Sequence, residues 1–340
     1  MMQHSNKKLL VISSTVAIAT VAVAWFLFFS SFISKSGHEY LYIDNDDTSD
    51  SVLAKLEGGG AVQLVGYRIT ATVLGYGSKI KPGRYEIGDG TSTLSLLRNL
   101  RNGKQAPVEL TIASVRTVED LAGKLSRQLQ PDSLDFLNAF KDPSVCAEFG
   151  LDTSTIGCIF LPNTYEIYWN TTPVKLLGRM KKESDAFWTA ERKDKAKRAG
   201  LTPNEVIVLA SIVDQETAND AEKPAIAGMY LNRLHSGMKL QADPTVKFAL
   251  KDFSIKRIMH QHLLTNSPYN TYKNGGLPPG PIDIPSLKSI EAVLNYKRHK
   301  YLYMCAKEDF SGTHNFAETY EAHLENAKRY ADALNKRGIR

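Results

Sequence analysis

A chain of 340 residues, 43% hydrophobic and 23% charged, is long enough for one large packed core or two modest ones and excludes a mainly disordered or collagen-like polymer. Lys and Arg number 42 against 36 Asp and Glu, a net charge of +6, but the cations are dispersed along the chain, so nucleic acid is not an expected target. The densest charged run, residues 191–198, alternates in sign and reads as a solvated helix face.

From Leu9 to Ser34 no charged residue occurs, a stretch longer than the roughly 20 residues a helix needs to cross hydrocarbon. A cleaved signal peptide is the alternative, with Lys7 and Lys8 as its positive end, but such a segment has an apolar core of only about 7–15 residues. Here the apolar run continues through Trp25, Phe26, Leu27, Phe28 and Phe29 with no small-x-small exit before Lys35. An uncleaved transmembrane anchor over residues 9–34 is therefore expected. Lys7 and Lys8 before it, against Lys35, His38, Asp44, Asp46 and Asp47 after it, place residues 1–8 in the cytoplasm by a thin margin and the rest outside.

Residues 35–50 read as a polar stalk with one short strand at Tyr40–Ile43. A small α+β module over 51–112 follows. It is expected to hold a short helix at Val52–Leu56, strand-like runs around Val62–Tyr67, and a turn at Pro82-Gly83 leading into a strand where Tyr85 and Ile87 alternate with polar neighbours. Leu94, Leu97 and Leu100 then form a helical stripe that Gly103 stops, and Val108–Ile112 is the next strand.

The larger region, 113–340, opens with Thr117 and Asp120 as a variant capping box ahead of Leu121, Leu125 and Leu129. A helix over Ser133–Phe140 precedes a strand face of Tyr165, Ile167 and Trp169, and Thr172-Pro173 begins a long helix. Three cysteines set no disulfide framework; Cys146 and Cys158 could pair, and Cys305 reads as a small buried side chain. The histidines form no H-E-x-x-H or Cys/His grouping, so no metal is expected, and no organic cofactor is implied.

Thr202, Pro203 and Glu205 form a complete capping box with proline at the first helical position, which secures the start of the helix carrying VIVLASIVDQET. Leu209, Ile212 and Val213 share a face with Glu216, whereas Glu205 and Asp214 are better placed for water. A carboxyl in a dry setting has its charged form disfavoured, which lifts its pKa toward the range of a general acid. The plainer alternative is that Glu216 merely ends the helix, bonding to Thr217 or Asn219.

Pro224 opens a second helix that Gly237 closes. Gln241 and Asp243 can face a groove, or Asp243 can cap a helix ahead of Pro244. The segment 266–285 holds glycines and prolines that prevent a helix or central strand, and Tyr269, Asn270 and Tyr272 offer stacking and hydrogen bonding. Tyrosine, asparagine and glutamine around one partly buried carboxyl suit an uncharged, hydroxyl-rich polymer such as glycan. The chain closes with a strand over 301–306, a hairpin-like turn at 312–316 and a helix from Ala317 to Asn335, with His314 and His323 expected to bond within the fold.

At LASIVDQET, LQADPTV, YNTY and GLPPGPI the chain resembles the YceG-like family of endolytic murein transglycosylases. Further matches in KPGRYEI, LLRNLRNGK, FLPNTYEIYW and the closing HNF with His323 extend the resemblance over about residues 40–335. The chain has Ala113-Ser114-Val115-Arg116 where the family often has proline-glutamate-glycine, and Ile156-Gly157-Cys158 where an acidic residue and glycine are frequent. The resemblance implies an α+β chain with an N-terminal transmembrane helix, a small LysM-like module and a larger mixed α/β lytic transglycosylase domain. It also implies location at the bacterial inner membrane with the catalytic domain outside the cytoplasm, peptidoglycan strands as substrate and glycan synthases as candidate partners.

Glu216 matches the family's catalytic glutamate, and Gln241, Asp243, Asn270 and Tyr272 are candidates for orienting sugar or acetamido groups. The implied reaction cuts nascent strands between N-acetylmuramic acid and N-acetylglucosamine and terminates their elongation. The C6 hydroxyl of the muramic acid attacks its own C1 and leaves a 1,6-anhydro ring, so one residue can be acid and then base where an ordinary glycosidase needs two carboxyls. A hydrolytic muramidase using Asp243, and a non-catalytic wall-binding scaffold, are the competing readings.

Overall fold

The uncharged N-terminal run is helical as far as Phe29, in α1 (Met2–Phe29), whose stretch Leu10–Phe29 is the one helix among the described residues long and apolar enough to cross a membrane. Ser31 and Phe32, counted in the expected span, instead bridge to Ser92 and enter the core of the small module, respectively. The computed structural model describes residues 2–32, 39–59, 61 and 64–338, so residues 33–38, the end of the expected anchor and the start of the expected stalk, lie outside it. The fold is α+β, with three separate two-stranded sheets among the described residues. Two units can be distinguished, Met1–Glu109 with Glu166–Thr171, and Leu110–Tyr165 with Thr172–Arg340.

In the first unit β1 (Glu39–Ile43), α2 (Ser49–Gly58), α3 (Leu64–Val73), β2 (Gly83–Ile87) and α4 (Thr93–Asn102) follow α1. β1 and β2 pair antiparallel with Leu41 opposite Tyr85, so the strand expected in the stalk belongs to the module's sheet. Strand alternation turns Leu41, Ile43, Tyr85 and Ile87 onto a core with Val52, Leu56, Tyr67, Tyr76, Leu97 and Leu100. Gly103 ends α4 at φ 71°, a left-handed cap that glycine adopts without steric cost. The strand expected around Val62–Tyr67 is corrected: the described part is α3, whose buried residues Gly66, Tyr67, Thr70 and Ala71 recur at helical spacing. Period outweighs the β propensity of valine and tyrosine there.

β3 (Val108–Ile112) pairs with β4 (Asn163–Ile167). Between them lie α5 (Val118–Ser126), α6 (Ser133–Lys141) and α7 (Pro143–Glu148). Trp169 falls beyond the end of β4 and is not part of its face. Cys146 and Cys158 are free and buried, the first thiol against the Phe140 carbonyl at 3.4 Å and the second against the Asn204 carbonyl at 3.9 Å, so each fills its own niche instead of pairing. Cys305 is free and only partly buried.

The second unit continues through α8 (Pro173–Phe187) and α9 (Ala190–Arg198), whose charges pair one turn apart, Glu191 with Lys195 and Asp194 with Arg198. α10 (Pro203–Glu216) begins at the expected Thr202 capping box. One apolar face was expected of it, but every residue from Val206 to Val213 is buried. α9, α11 (Lys223–His235), α12 (Asp243–Leu250) and α14 (Leu287–Leu294) pack around it, with α13 (His260–Leu263) between the last two in the chain. A helix apolar on all sides belongs at the centre of a core. The chain ends with the antiparallel hairpin of β5 (Tyr303–Ala306) and β6 (His314–Ala317), then α15 (Tyr320–Lys336).

Gly228 lets the segment before the hairpin reach α11. A Cβ there would lie 2.2 Å from the Lys297 carbonyl oxygen, in the segment whose Lys297 N–H donates to the Pro224 carbonyl at 2.9 Å. Gly228→Ala is expected to destabilise the protein by about 1–3 kcal/mol through overpacking, read as a lower urea midpoint at unchanged slope. An unchanged midpoint would mean the segment yields freely.

Candidate active site

The last three residues of α10 point about 100° apart in turn, and each meets a different partner. Asp214, expected in water, instead accepts Lys223 Nζ at 2.9 Å, Ser286 Oγ at 2.7 Å and the Ser289 hydroxyl. Burial acts to raise its pKa, but the two hydroxyls and the ammonium outweigh it and hold the carboxyl below its ordinary value. Gln215 donates through Nε2 to Asp283 Oδ2 at 2.5 Å, and burial pushes this 4%-exposed aspartate up to about 8. Glu216 turns the third way, and its Oε1 accepts the Tyr230 hydroxyl at 2.5 Å.

Glu216 lines a cleft of about 380 Å³ together with Tyr230, Arg233, Gln241, Asp243 and Tyr272. Tyr230 and Arg233 stand one turn apart on α11. Arg233 donates to the Leu240 carbonyl at 2.5 Å and to Gln241 Oε1 at 3.2 Å, and its guanidinium lies 5.4 Å from the Tyr303 ring centre. Gln241 is held at a positive φ of 53°. Thr271 docks the 266–285 loop beside it: its carbonyl accepts the Gln241 N–H, and its hydroxyl accepts the Ala242 N–H at 3.0 Å and meets Thr245 Oγ1 at 2.8 Å. That docking brings the next residue's hydroxyl, on Tyr272, to donate to Asp243 Oδ1 at 2.6 Å. Asp243 is the first residue of α12 rather than its cap.

The structure therefore gathers Glu216, Gln241, Asp243 and Tyr272 on one cleft, and leaves Asn270 out of its lining. Asn270 is fully buried and donates to the Leu263 and Thr265 carbonyls, each at 2.9 Å, so it shapes the loop from within. His314 and His323 do bond or stack inside the fold, but they line the cleft as well. His314 Nδ1 lies 2.9 Å from Glu222 Oε2, and His323 stacks on Tyr303 at 5.4 Å between ring centres.

Burial pushes Glu216 up to about 7; the nearby Asp243 adds to the rise, while the Tyr230 hydrogen bond, His314 and Lys247 oppose it. A carboxyl poised there can donate a proton to a leaving oxygen and take one back near neutral pH. Burial also lifts the Tyr230 and Tyr272 hydroxyls, which stay protonated donors. Sequence reasoning missed Tyr230, Arg233 and Tyr303. The available signal was a tyrosine and an arginine one turn apart in a mainly apolar helix segment, MYLNRL, but only the packing of α11 on α10 assigns Tyr230 to Glu216.

A family model described as the YceG-like family matches residues 41–329. The chain is 30% identical over 291 residues to an endolytic murein transglycosylase of Streptococcus pneumoniae serotype 2 (strain D39), covering 75% of this chain and 51% of that protein. It is 32% identical over 177 residues to the endolytic murein transglycosylase of Bacillus subtilis (strain 168), covering 52% of this chain and 48% of the relative. The chain thus spans about half the length of these relatives. The crystal structure of a YceG-like protein from Listeria monocytogenes matches with a TM-score of 0.55 and 24% identity, over 85% of this chain and 98% of that one, a likeness of fold.

Proposed function

The chain belongs to the YceG-like family, and on that premise we propose that it cuts peptidoglycan strands internally between N-acetylmuramic acid and N-acetylglucosamine without adding water. The observation that carries this reading is Glu216, set in a cleft, bonded to Tyr230 and pushed up to about 7. In its protonated form it gives its proton to the glycosidic oxygen as the C1–O bond breaks. The resulting carboxylate then takes the proton of the C6 hydroxyl as that oxygen closes on C1, which restores the acid and leaves a 1,6-anhydro end. Intramolecular attack needs no second reactant to be brought in. Gln241, Asp243 and Tyr272 orient the sugars, with Asn270 supporting the loop that carries Tyr272. An anhydro end has no free reducing carbon, and such a cut on a nascent strand terminates its growth.

In this reading α1 anchors the chain in the inner membrane, with residues 1–8 in the cytoplasm and the cleft outside, where glycan synthases are the partners it would meet. The strand-helix-helix-strand order of β1, α2, α3 and β2, with antiparallel outer strands, supports describing residues 51–112 as part of a LysM-like module. Mass analysis of digested glycan tests the chemistry, since an anhydro product is one water lighter than a reducing end. Reducing ends would favour hydrolysis with Asp243 as second carboxylate, and glycan binding without fragments would leave a scaffold.

Tyr230→Phe removes a hydrogen bond that favours the charged form of Glu216. The alkaline limb of kcat/KM is therefore expected to move to higher pH, read from a full pH profile. A limb that stays or moves down would show that the hydroxyl does not stabilise the carboxylate.

A further inference from the structure

α3 wears its apolar residues on the wrong side for a helix in water. Its buried face is Gly66, Tyr67, Thr70 and Ala71, with Thr70 Oγ1 bonded to the Gly66 carbonyl at 2.7 Å. Its outer face carries Val65, 64% exposed, Ile69, 43%, and Val73, 78%, a single stripe at successive helical turns, flanked by Arg68 and Thr72. Hydrophobic burial alone would turn valine and isoleucine inward and threonine outward.

The position of α3 in its unit says what covers that stripe. Gly66 has no Cβ where one would lie 2.2 Å from the Leu27 carbonyl oxygen, so α3 packs backbone to backbone on the last turn of α1. Leu27 is close to the end of the apolar stretch Leu10–Phe29. At about 1.5 Å per residue that stretch is about as long as the hydrocarbon core is thick. The contact therefore falls at the far boundary of the span, near the exposed ring of Trp25, a residue type enriched at that boundary.

We propose that α3 is a second membrane contact, its Val65, Ile69 and Val73 stripe seated in the outer-leaflet interface of the bilayer that α1 spans, with Arg68 reaching the lipid phosphates. This rests on α1 being an anchor. It makes the first unit a body held on the membrane surface by two elements, one crossing the bilayer and one lying in its interface.

The test uses the full chain with Cys305 replaced by serine, reconstituted in phosphatidylethanolamine and phosphatidylglycerol vesicles. Single nitroxide labels are placed in turn at Val65, Ile69 and Val73, with Val21 in the span and exposed Lys104 as references. Collisions with oxygen, which partitions into lipid, are compared with those of a water-soluble nickel chelate. The expected result is several-fold less nickel contact at the three stripe positions than at Lys104, with oxygen contact rising toward that at Val21. Nickel contact equal to that at Lys104, with Val21 still shielded, would overturn the second contact and leave the anchor standing. Val21 as wet as Lys104 would overturn both. Stripe labels shielded from oxygen and nickel alike and broadened by neighbouring labels would overturn it in favour of a second copy of the chain.

Discussion

Glu216→Gln is expected to lower turnover by about 10²–10⁴-fold or more while leaving the fold and glycan binding in place. The amide keeps an oxygen to accept the Tyr230 hydroxyl, which lies 2.5 Å from the carboxylate, and loses only the transferable proton. In the wild type, kcat/KM must fall as pH rises through about 7, because the acid form is then lost. The same shift has a sign for stability. Glu216 is raised to about 7 when folded, whereas the unfolded chain gives up this proton near pH ~4.3. The contribution is thus complete below the unfolded value and is lost as pH rises to the folded one, by about 4 kcal/mol in all. Asp283, pushed up to about 8, loses stability in the same direction and does so in both proteins, so the difference between them isolates Glu216. Urea unfolding across this range should show a shallower decline in Glu216→Gln. Parallel curves with an activity profile flat through neutrality would leave Glu216 at most a ligand for sugar.

Lys223→Met is expected to destabilise the protein by about 3–5 kcal/mol, because it strands a buried charge. The Lys223 ammonium lies 2.9 Å from Asp214, and the two side chains are 6% and 11% exposed. Without it Asp214 keeps the hydroxyls of Ser286 and Ser289 and the Ser286 N–H at 3.4 Å, with no cation. The native Asp214 is held below its ordinary pKa, so its stabilisation is present above that ordinary value and lost as pH falls through the native one. Removing the lysine should shrink that acid-side loss as well as the total. Lys223 also meets Asp220 at 2.9 Å, but that carboxylate is 43% exposed, so Asp220→Asn should cost far less than Lys223→Met. Pairing Lys223→Met with Asp214→Asn should recover part of the loss, since no bare charge then remains. Denaturant midpoints of the three variants check this, and equal losses for Asp220→Asn and Lys223→Met would remove the buried pair from the account of how α10 is held.

Much of the backbone was legible because its causes are local. The Thr202 capping box, the stop at Gly103, the β2 alternation of Tyr85 and Ile87 and the uncharged run of α1 all rest on sterics, hydrogen bonds and periodicity within a few residues. Glu216 was legible as a carboxyl at the end of an apolar helix. That it, and not Asp214 one half-turn earlier, enters the cleft depended on where α11 and α14 pack. Those helices supply Tyr230 for one carboxyl and Lys223 with Ser289 for the other. The same holds for α3, whose valines and tyrosine permit a strand until Leu27 and the module core select a helix face, and for the two cysteines, whose separate niches are made by Phe140 and Asn204. Sequence by itself determined where helices and strands begin and which residue types could do the chemistry. Only tertiary structure decided which of those groups share a cleft, because desolvation and pairing act between side chains that are neighbours in space while far apart along the chain.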